Sequence, residues 1–322
     1  MTSQCLLRRA AASEALSPAE RAALARWISG QADRAALFGL SPANADAVVA
    51  ERLRLLPAVA RAIQAEPLRA AGYQERVACA PEELFLFHIP LAQFLVQRVA
   101  EAPGRCLVAI AGVPAGGKTV FAALMARVLK ALDPPFGIAT VGLDGYHYPN
   151  AYLDTHRAPR GVTTPGTLRL YKGAHFTFDA GRLAGDLARL RSAQGPVSLP
   201  AYDRTAHDPV DDAICVGPGD HLVLVEGNYL LLRRGKWRKI PELFDIRIYL
   251  DLPPGVNRGR MIARHIRGGR TPDDAAGHFE RTDRANTALV AATRPEADLI
   301  VGLSATYQVV SVMPGLRTLP RA

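Results

Sequence analysis

Apolar side chains recur at helical intervals through the first hundred residues and gather into short unbroken runs after that. Ser17-Pro18-Ala19-Glu20 offers a capping serine, a proline at the first helical position and a glutamate three residues past the cap. A helix is predicted to start there, with Leu24, Trp27 and Ile28 on its buried face. Ser41-Pro42 repeats the start signal, and Val48, Val49, Leu53 and Leu56 continue a stripe to Pro57. Glu82 to Glu101 is a further helical stretch, interrupted at Pro90. These positions read most simply as the core of a helix bundle.

The pattern changes at Pro103-Gly104. Arg105 to Ala111 is an apolar run of the kind a buried parallel strand shows, followed by a glycine-rich turn and a helix from Gly117 to Ala131. Phe136 to Leu143 predicts a second strand, Gly145 to Tyr171 a long polar loop, and Asp179 to Ala193 a helix with Leu183, Leu187 and Leu190 on one face. Further strands are predicted over His221 to Val225, Asp245 to Leu250 and Asp298 to Gly302, with helices over Pro254 to Gly268 and Pro272 to Thr293. Tyr307 to Val312 reads as an edge strand. Strands alternating with helices predict an α/β fold with a parallel sheet flanked by helices. The domains expected are a helical one over 1–103 and an α/β one over 104–322.

Composition narrows the class. Of 322 residues, 49% are hydrophobic and 21% charged, which excludes a disordered chain. Cys5, Cys79, Cys106 and Cys215 lie far apart with no C-x-x-C pair, against a disulfide scaffold or zinc ribbon and for a reducing compartment. Apolar runs fall well short of the roughly 20 residues a bilayer requires, and Glu14 and Glu20 interrupt the stretch after Arg8 and Arg9. A cytoplasmic protein without membrane attachment is expected. The net charge is +9: residues 1–102 carry 11 basic and 10 acidic side chains, residues 103–322 carry 28 and 20. Such an excess suits nucleic acid, a membrane surface or a polyanionic small ligand. Nucleic acid is disfavoured, because only Arg233-Arg234-Gly235-Lys236-Trp237-Arg238-Lys239 resembles a basic patch with an aromatic platform.

Four elements carry chemistry. Gly112-Val113-Pro114-Ala115-Gly116-Gly117-Lys118-Thr119 matches G-x-x-x-x-G-K-[ST] between a strand and a helix. Its glycines let backbone N–H groups face phosphate oxygens, Lys118 can bridge the β- and γ-phosphates of ATP, and Thr119 can offer a hydroxyl to Mg2+. Asp144 ends the second strand, where ligands of open parallel sheets bind, and can accept the proton of an attacking hydroxyl; an Asp-Gly pair also commonly caps a turn. Glu226 closes the strand beginning at His221 and is placed to order Mg2+ or its waters, or to make a structural hydrogen bond. Arg260, Arg264 and Arg267 share one helical face, between Arg258 and Arg270. Such a face is either solvated or a lid over the nucleotide, with Arg260 holding phosphate and Arg264 neutralising the transferring group.

Taken with the phosphate loop, Asp144-Gly145-Tyr146-His147-Tyr148-Pro149-Asn150 and Glu226-Gly227-Asn228-Tyr229-Leu230 resemble the uridine kinase, phosphoribulokinase and pantothenate kinase superfamily. Lys172-Gly173-Ala174 with Thr177-Phe178-Asp179 is similar to a stretch shared by type I pantothenate kinases and bacterial fructose-kinase-like proteins. Tyr202-Asp203-Arg204 with His207-Asp208-Pro209, and Asp283 with Asn286, resemble later substrate-side stretches. The resemblance covers roughly 85–302. It implies a P-loop kinase using Mg-ATP, with Asp144 at the family's catalytic base and His147, Tyr202, Arg204, Asn228 and Asn286 on the substrate side. Thr119-Val120 stands for the more usual Ser-Thr pair at the nucleotide, and His175 for a common proline. The loop from Leu153 to Leu170 is longer than in compact relatives and adds Arg157, Arg160 and Arg169.

The expected function is transfer of the γ-phosphate of ATP to a hydroxyl of a small metabolite: a sugar, a nucleoside or a pantothenate-like alcohol. Asp144 favours this class, because kinases of nucleoside monophosphates attack with an already anionic phosphate and need no base there. The loop arginines raise an anionic acceptor. The rival is an ATPase or nucleotide switch that acts on a protein partner through the N-terminal helices. A homodimer is compatible with either.

Overall fold

The computed structural model describes residues 2–30, 43–70, 73–162 and 165–317. The predicted start at Ser41-Pro42 lies outside them. Helix α1 (Ser3–Ala11) is followed by α2 (Pro18–Ser29), whose capping box forms as predicted. Glu20 N–H donates to Ser17 Oγ at 3.3 Å and Ser17 N–H to Glu20 Oε2 at 2.7 Å. Helix α3 (Ala45–Ala65) runs on past Pro57, because its buried face continues through Val59, Ala60 and Ile63. Packing there outweighs the roughly 3 kcal/mol that an internal proline costs. Strands β1 (Leu68–Ala70) and β2 (Tyr73–Glu75) form a small antiparallel pair.

The expected break at Pro90 takes another form. A short α4 (Pro81–Glu83) leads through a π turn (Leu84–His88) into α5 (Ile89–Glu101), with Ile89 N–H bonded to Leu84 O. The wider turn just before Pro90 absorbs the missing donor without ending the helix.

From there strands and helices alternate. Strand β3 (Cys106–Gly112) leads to α6 (Lys118–Ala131), β4 (Gly137–Gly142), the short α7 (Asn150–Thr155) and α8 (Ala180–Ser192). An antiparallel hairpin, β5 (Val197–Asp203) and β6 (Asp208–Val216), precedes β7 (Asp220–Glu226) and β8 (Ile246–Asp251). Helix α9 (Val256–Arg267), α10 (Pro272–His278), a π turn (Phe279–Asp283) and α11 (Arg284–Ala291) come next, before β9 (Leu299–Leu303) and β10 (Val309–Pro314). The main sheet has the order β10-β9-β8-β3-β7-β4, parallel except for β10. Each strand of the sheet falls where the apolar runs predict it. The β5–β6 hairpin does not, since Pro200, Pro209 and the exposed acids of β6 hide its alternation.

Strand β3 is buried along its whole length and feeds both cores. Val108 and Ile110 join Phe121 and Val128 of α6 and Leu7, Leu24, Ile28 and Leu56 of the N-terminal helices in one apolar cluster. Leu107, Ala109 and Ala111 face the other, with Leu183, Leu187, Tyr229 and Trp237. Buried Arg105, at the entry to β3, donates to the carbonyls of Leu190, Ala193, Gly195, Gly217 and Asp220, fixing where the strand begins. Among the described residues no helix is long and apolar enough to cross a membrane.

Candidate active site

The P-loop forms between β3 and α6 as its spacing requires. Pro114 to Val120 line a cavity of about 390 Å³, together with Asp144, Glu226, Asn228, Arg260 and Arg264. Gly112 and Val113 form the buried base of the loop. Gly117 has φ +87°, and a Cβ there would lie 2.5 Å from the ring of Tyr307, so glycine is required twice over. Lys118 is buried and donates to Val113 O at 2.9 Å. Burial pushes its ammonium down to about 8, against the opposing pull of Glu226 and Asp144.

The carboxyl ends of β7 and β4 bring the two acids together. Strand β7 lies between β3 and β4, so Glu226 is beside the P-loop and Asp144 reaches it from one strand further out. Thr119 Oγ1 donates to Glu226 Oε1 at 2.9 Å. That hydroxyl and carboxylate, with Asp144 nearby on the same cavity wall, are hard oxygen donors of the kind Mg2+ takes. Asp144 accepts from Arg204 Nη2 across a half-buried ion pair. Burial would raise its pKa, but Arg204 first, then His147, Arg264 and Lys118, hold it below the ordinary carboxylate range. Glu226 moves the other way: burial and the charge of Asp144 raise it, against Lys118 and the Thr119 bond. Two neighbouring carboxylates are thus driven apart, the usual arrangement when one must stay ionised.

A second cavity, of about 430 Å³, opens between α6, β4 and the β5–β6 hairpin and is lined by Thr140, Val141, Tyr202 and Ile214 among others. It shares Thr119, Asp144, Arg204 and Glu226 with the first. The ring of Tyr202 has Lys172 Nζ 5.1 Å and Arg204 Cζ 5.2 Å from its centroid. Lys172 donates to Asn150 Oδ1 and His207 O, both at 2.6 Å, tying the loop after β4 to the hairpin turn. Burial first, and Arg169 second, lower its ammonium to about 8.

The remaining predicted residues fall at different distances from these cavities. His147 lines neither; its ring lies 3.8 Å from Phe178 and 5.4 Å from Tyr202, and its Nδ1 bonds Asp144 O at 2.9 Å. Burial lowers its pKa, so the ring is neutral with the proton on Nδ1, and it braces Tyr202 and the Asp144 turn from behind. Asn228 lines the first cavity, whereas Asn286 is buried on α11 and lines neither cavity. Arg157, Arg160 and Arg169 are exposed and line neither cavity. Trp237 of the basic patch is buried and donates to His175 O at 3.0 Å, so it offers no stacking platform.

Two contributors have no individual signal in the sequence. Tyr307, in the turn after β9, covers Gly117, while Arg260 Cζ stacks 3.6 Å from its ring centroid and bonds Ala115 O and Ala305 O. Its φ of 67° is uncommon for a bulky residue and is held by those contacts. Its place at the carboxyl end of a sheet strand was the available clue. Lys172, which lines neither cavity but sits over Tyr202, is the other; the Lys172-Gly173-Ala174 stretch marks a family likeness without pointing there.

No family model matches the chain. It is 35% identical to YggC of Escherichia coli (strain K12) over 225 residues, 69% of this chain and 89% of that protein. It is 33% identical to the Schizosaccharomyces pombe protein named "Putative uridine kinase C227.14" over 204 residues, 61% of this chain and 83% of the other. The crystal structure described as a "putative fructose transport system kinase" from Silicibacter sp. TM1040 superposes with TM-score 0.58 at 31% identity, over 66% of this chain and 98% of that one. With a P-loop, a Thr119–Glu226 pair and Asp144 on one cavity, the chain belongs to the P-loop kinase superfamily of uridine kinase, pantothenate kinase and phosphoribulokinase and is an ATP-dependent phosphotransferase.

Proposed function

We propose that the protein transfers the γ-phosphate of Mg-ATP to a hydroxyl of a small metabolite that carries its own negative charge. The carrying observation is the shared wall: the phosphate cavity and the second cavity meet at Asp144 and Arg204. In this reading the P-loop amides and Lys118 hold the triphosphate, and Thr119 and Glu226 would hold Mg2+, which would supply positive charge at the transferring group. The acceptor occupies the second cavity, and Asp144 takes its proton as the oxygen attacks phosphorus. Arg264 balances the charge that develops. Arg204 and Lys172 lie near Tyr202 and recruit a carboxylate or phosphate on the acceptor. As Arg204 turns to that anion, Asp144 loses its ion-pair partner and becomes the stronger base. The reaction belongs in the cytoplasm, on free metabolites and not on nucleic acid, and the described N-terminal helices act as a brace for the sheet.

The test is ADP release with Mg-ATP across sugars, sugar phosphates, nucleosides and hydroxy acids. Fructose and uridine are included because the relatives are named for them, and pantothenate because it pairs a hydroxyl with a carboxylate. An acceptor-dependent signal, strongest for anionic members, is expected. Hydrolysis that ignores every acceptor and responds only to an added protein would replace this reading with the nucleotide switch.

A further inference from the structure

Helix α9 and the segment after it hold a cluster that lines neither cavity. His265 near the end of α9, His278 at the end of α10 and Asp283 at the end of the second π turn each offer one ligand atom, all within 4.8 Å of one another. His265 Nε2 and Asp283 Oδ2 are 2.7 Å apart, and the two imidazole rings lie 4.7 Å apart at 77°. Asp283 is buried and both histidines are half-buried.

The backbone is shaped to make this cluster. His278 and Asp283 are five residues apart, which on an α-helix would separate them by about 140°. The π turn adds about one residue to the turn and returns them to one face, with Arg284 N–H bonded to Phe279 O. We propose that His265, His278 and Asp283 bind one borderline divalent cation of the Zn2+ class, clipping α9 to the helix that comes after it. Two imidazoles and one carboxylate, with a water in the fourth place, are a zinc-type donor set and a poor one for Mg2+, which prefers oxygen. Tetrahedral N and O ligands of zinc sit about 3.3 Å apart, so His265 and Asp283 need to part by only about half an ångström. The adjoining arginines do not all oppose the dication, because Arg258 and Arg284 are each paired with Glu280. Arg264 precedes His265 and lines the nucleotide cavity, so a metal at His265 fixes the helix that carries this arginine.

The experiment uses the full chain without an affinity tag, stripped with chelator and titrated with Zn2+ by calorimetry in excess Mg2+. One Zn2+ per chain is expected, with Co2+ in its place giving the visible bands of a tetrahedral site. His278→Gln and His265→Gln should each weaken binding at least tenfold while retaining the circular dichroism of the parent. Glu226→Gln, at the P-loop, should leave it unchanged. Zn2+ should also slow amide exchange across α9 and α10 in the parent and not in His278→Gln. Absence of Zn2+ binding, or binding indifferent to both histidine variants, would overturn the site. Histidine-dependent binding with unchanged exchange would overturn the clip.

Discussion

Asp144 and Arg204 are the pair on which the proposed chemistry turns, and Asp144 sets the first expectation. Asp144→Asn keeps the shape of the turn but removes the proton acceptor. The turnover number should fall by about 10²–10⁴-fold, with nucleotide affinity changed only a few-fold; full turnover on the true acceptor would disprove the base. Lys118 gives a pH signature. Its folded pKa, about 8, lies below its ordinary 10.5, so the unfolded chain binds more protons between those values and burial of Lys118 costs least stability at the alkaline end. Nucleotide binding has the opposite sign. A triphosphate favours the ammonium form, so affinity should weaken as pH rises through 8, with proton uptake on binding measurable in buffers of different ionisation heat. Lys118, Thr119, Asp144 and Glu226 were legible in the sequence because motif spacing ties each to a strand end. Tyr307 and Lys172 were not, since each reaches the site from a segment whose own pattern says nothing about where it folds.

At the scale of elements, the apolar runs marked every strand of the main sheet, most plainly β3, which is buried along its whole length and has no polar position to blur it. The β5–β6 hairpin was illegible for the converse reason: its outer strand is mostly exposed and acidic. Both π turns were also hidden, since a one-residue widening leaves helical periodicity nearly intact. Each sets an acid and a histidine five residues apart on one face, Glu83 with His88 and His278 with Asp283. Helix α9 shows what the arginine spacing meant. Arg260 is taken up by Tyr307 and the P-loop carbonyl, while Arg264 and Arg267 also line the cavity, and the proposed reading assigns Arg264 to the transferring group. Arg264→Ala should lower the turnover number by about 10²–10³-fold with little change in acceptor KM. An effect confined to KM for ATP would make Arg264 a binding residue only.

At the scale of the molecule, the positive charge and the helical N-terminus acquire a common logic. The basic excess lies in residues 103–322, which also contain both cavities. The nearly neutral helices touch the nucleotide machinery through a short chain of contacts. Buried Glu83 pairs with His88 and accepts Val309 N–H at 2.8 Å, two residues from the tyrosine that covers Gly117. Tertiary links of this kind leave no trace in local sequence pattern.

The apolar cluster that runs from α1 through α6 to the face of β3 has a consequence for how the molecule comes apart. Among the described residues this one cluster joins the helical segment to the sheet, so melting one removes a wall of the other. The chain carries two tryptophans, Trp27 packed against that cluster and Trp237 inside the opposite one, a natural pair of optical reporters. Followed separately in Trp27→Phe and Trp237→Phe variants, their emission should shift at the same denaturant midpoint, as one cooperative transition. Midpoints that diverge would mean that the boundary near Pro103 is a seam in the thermodynamics as well as in the sequence.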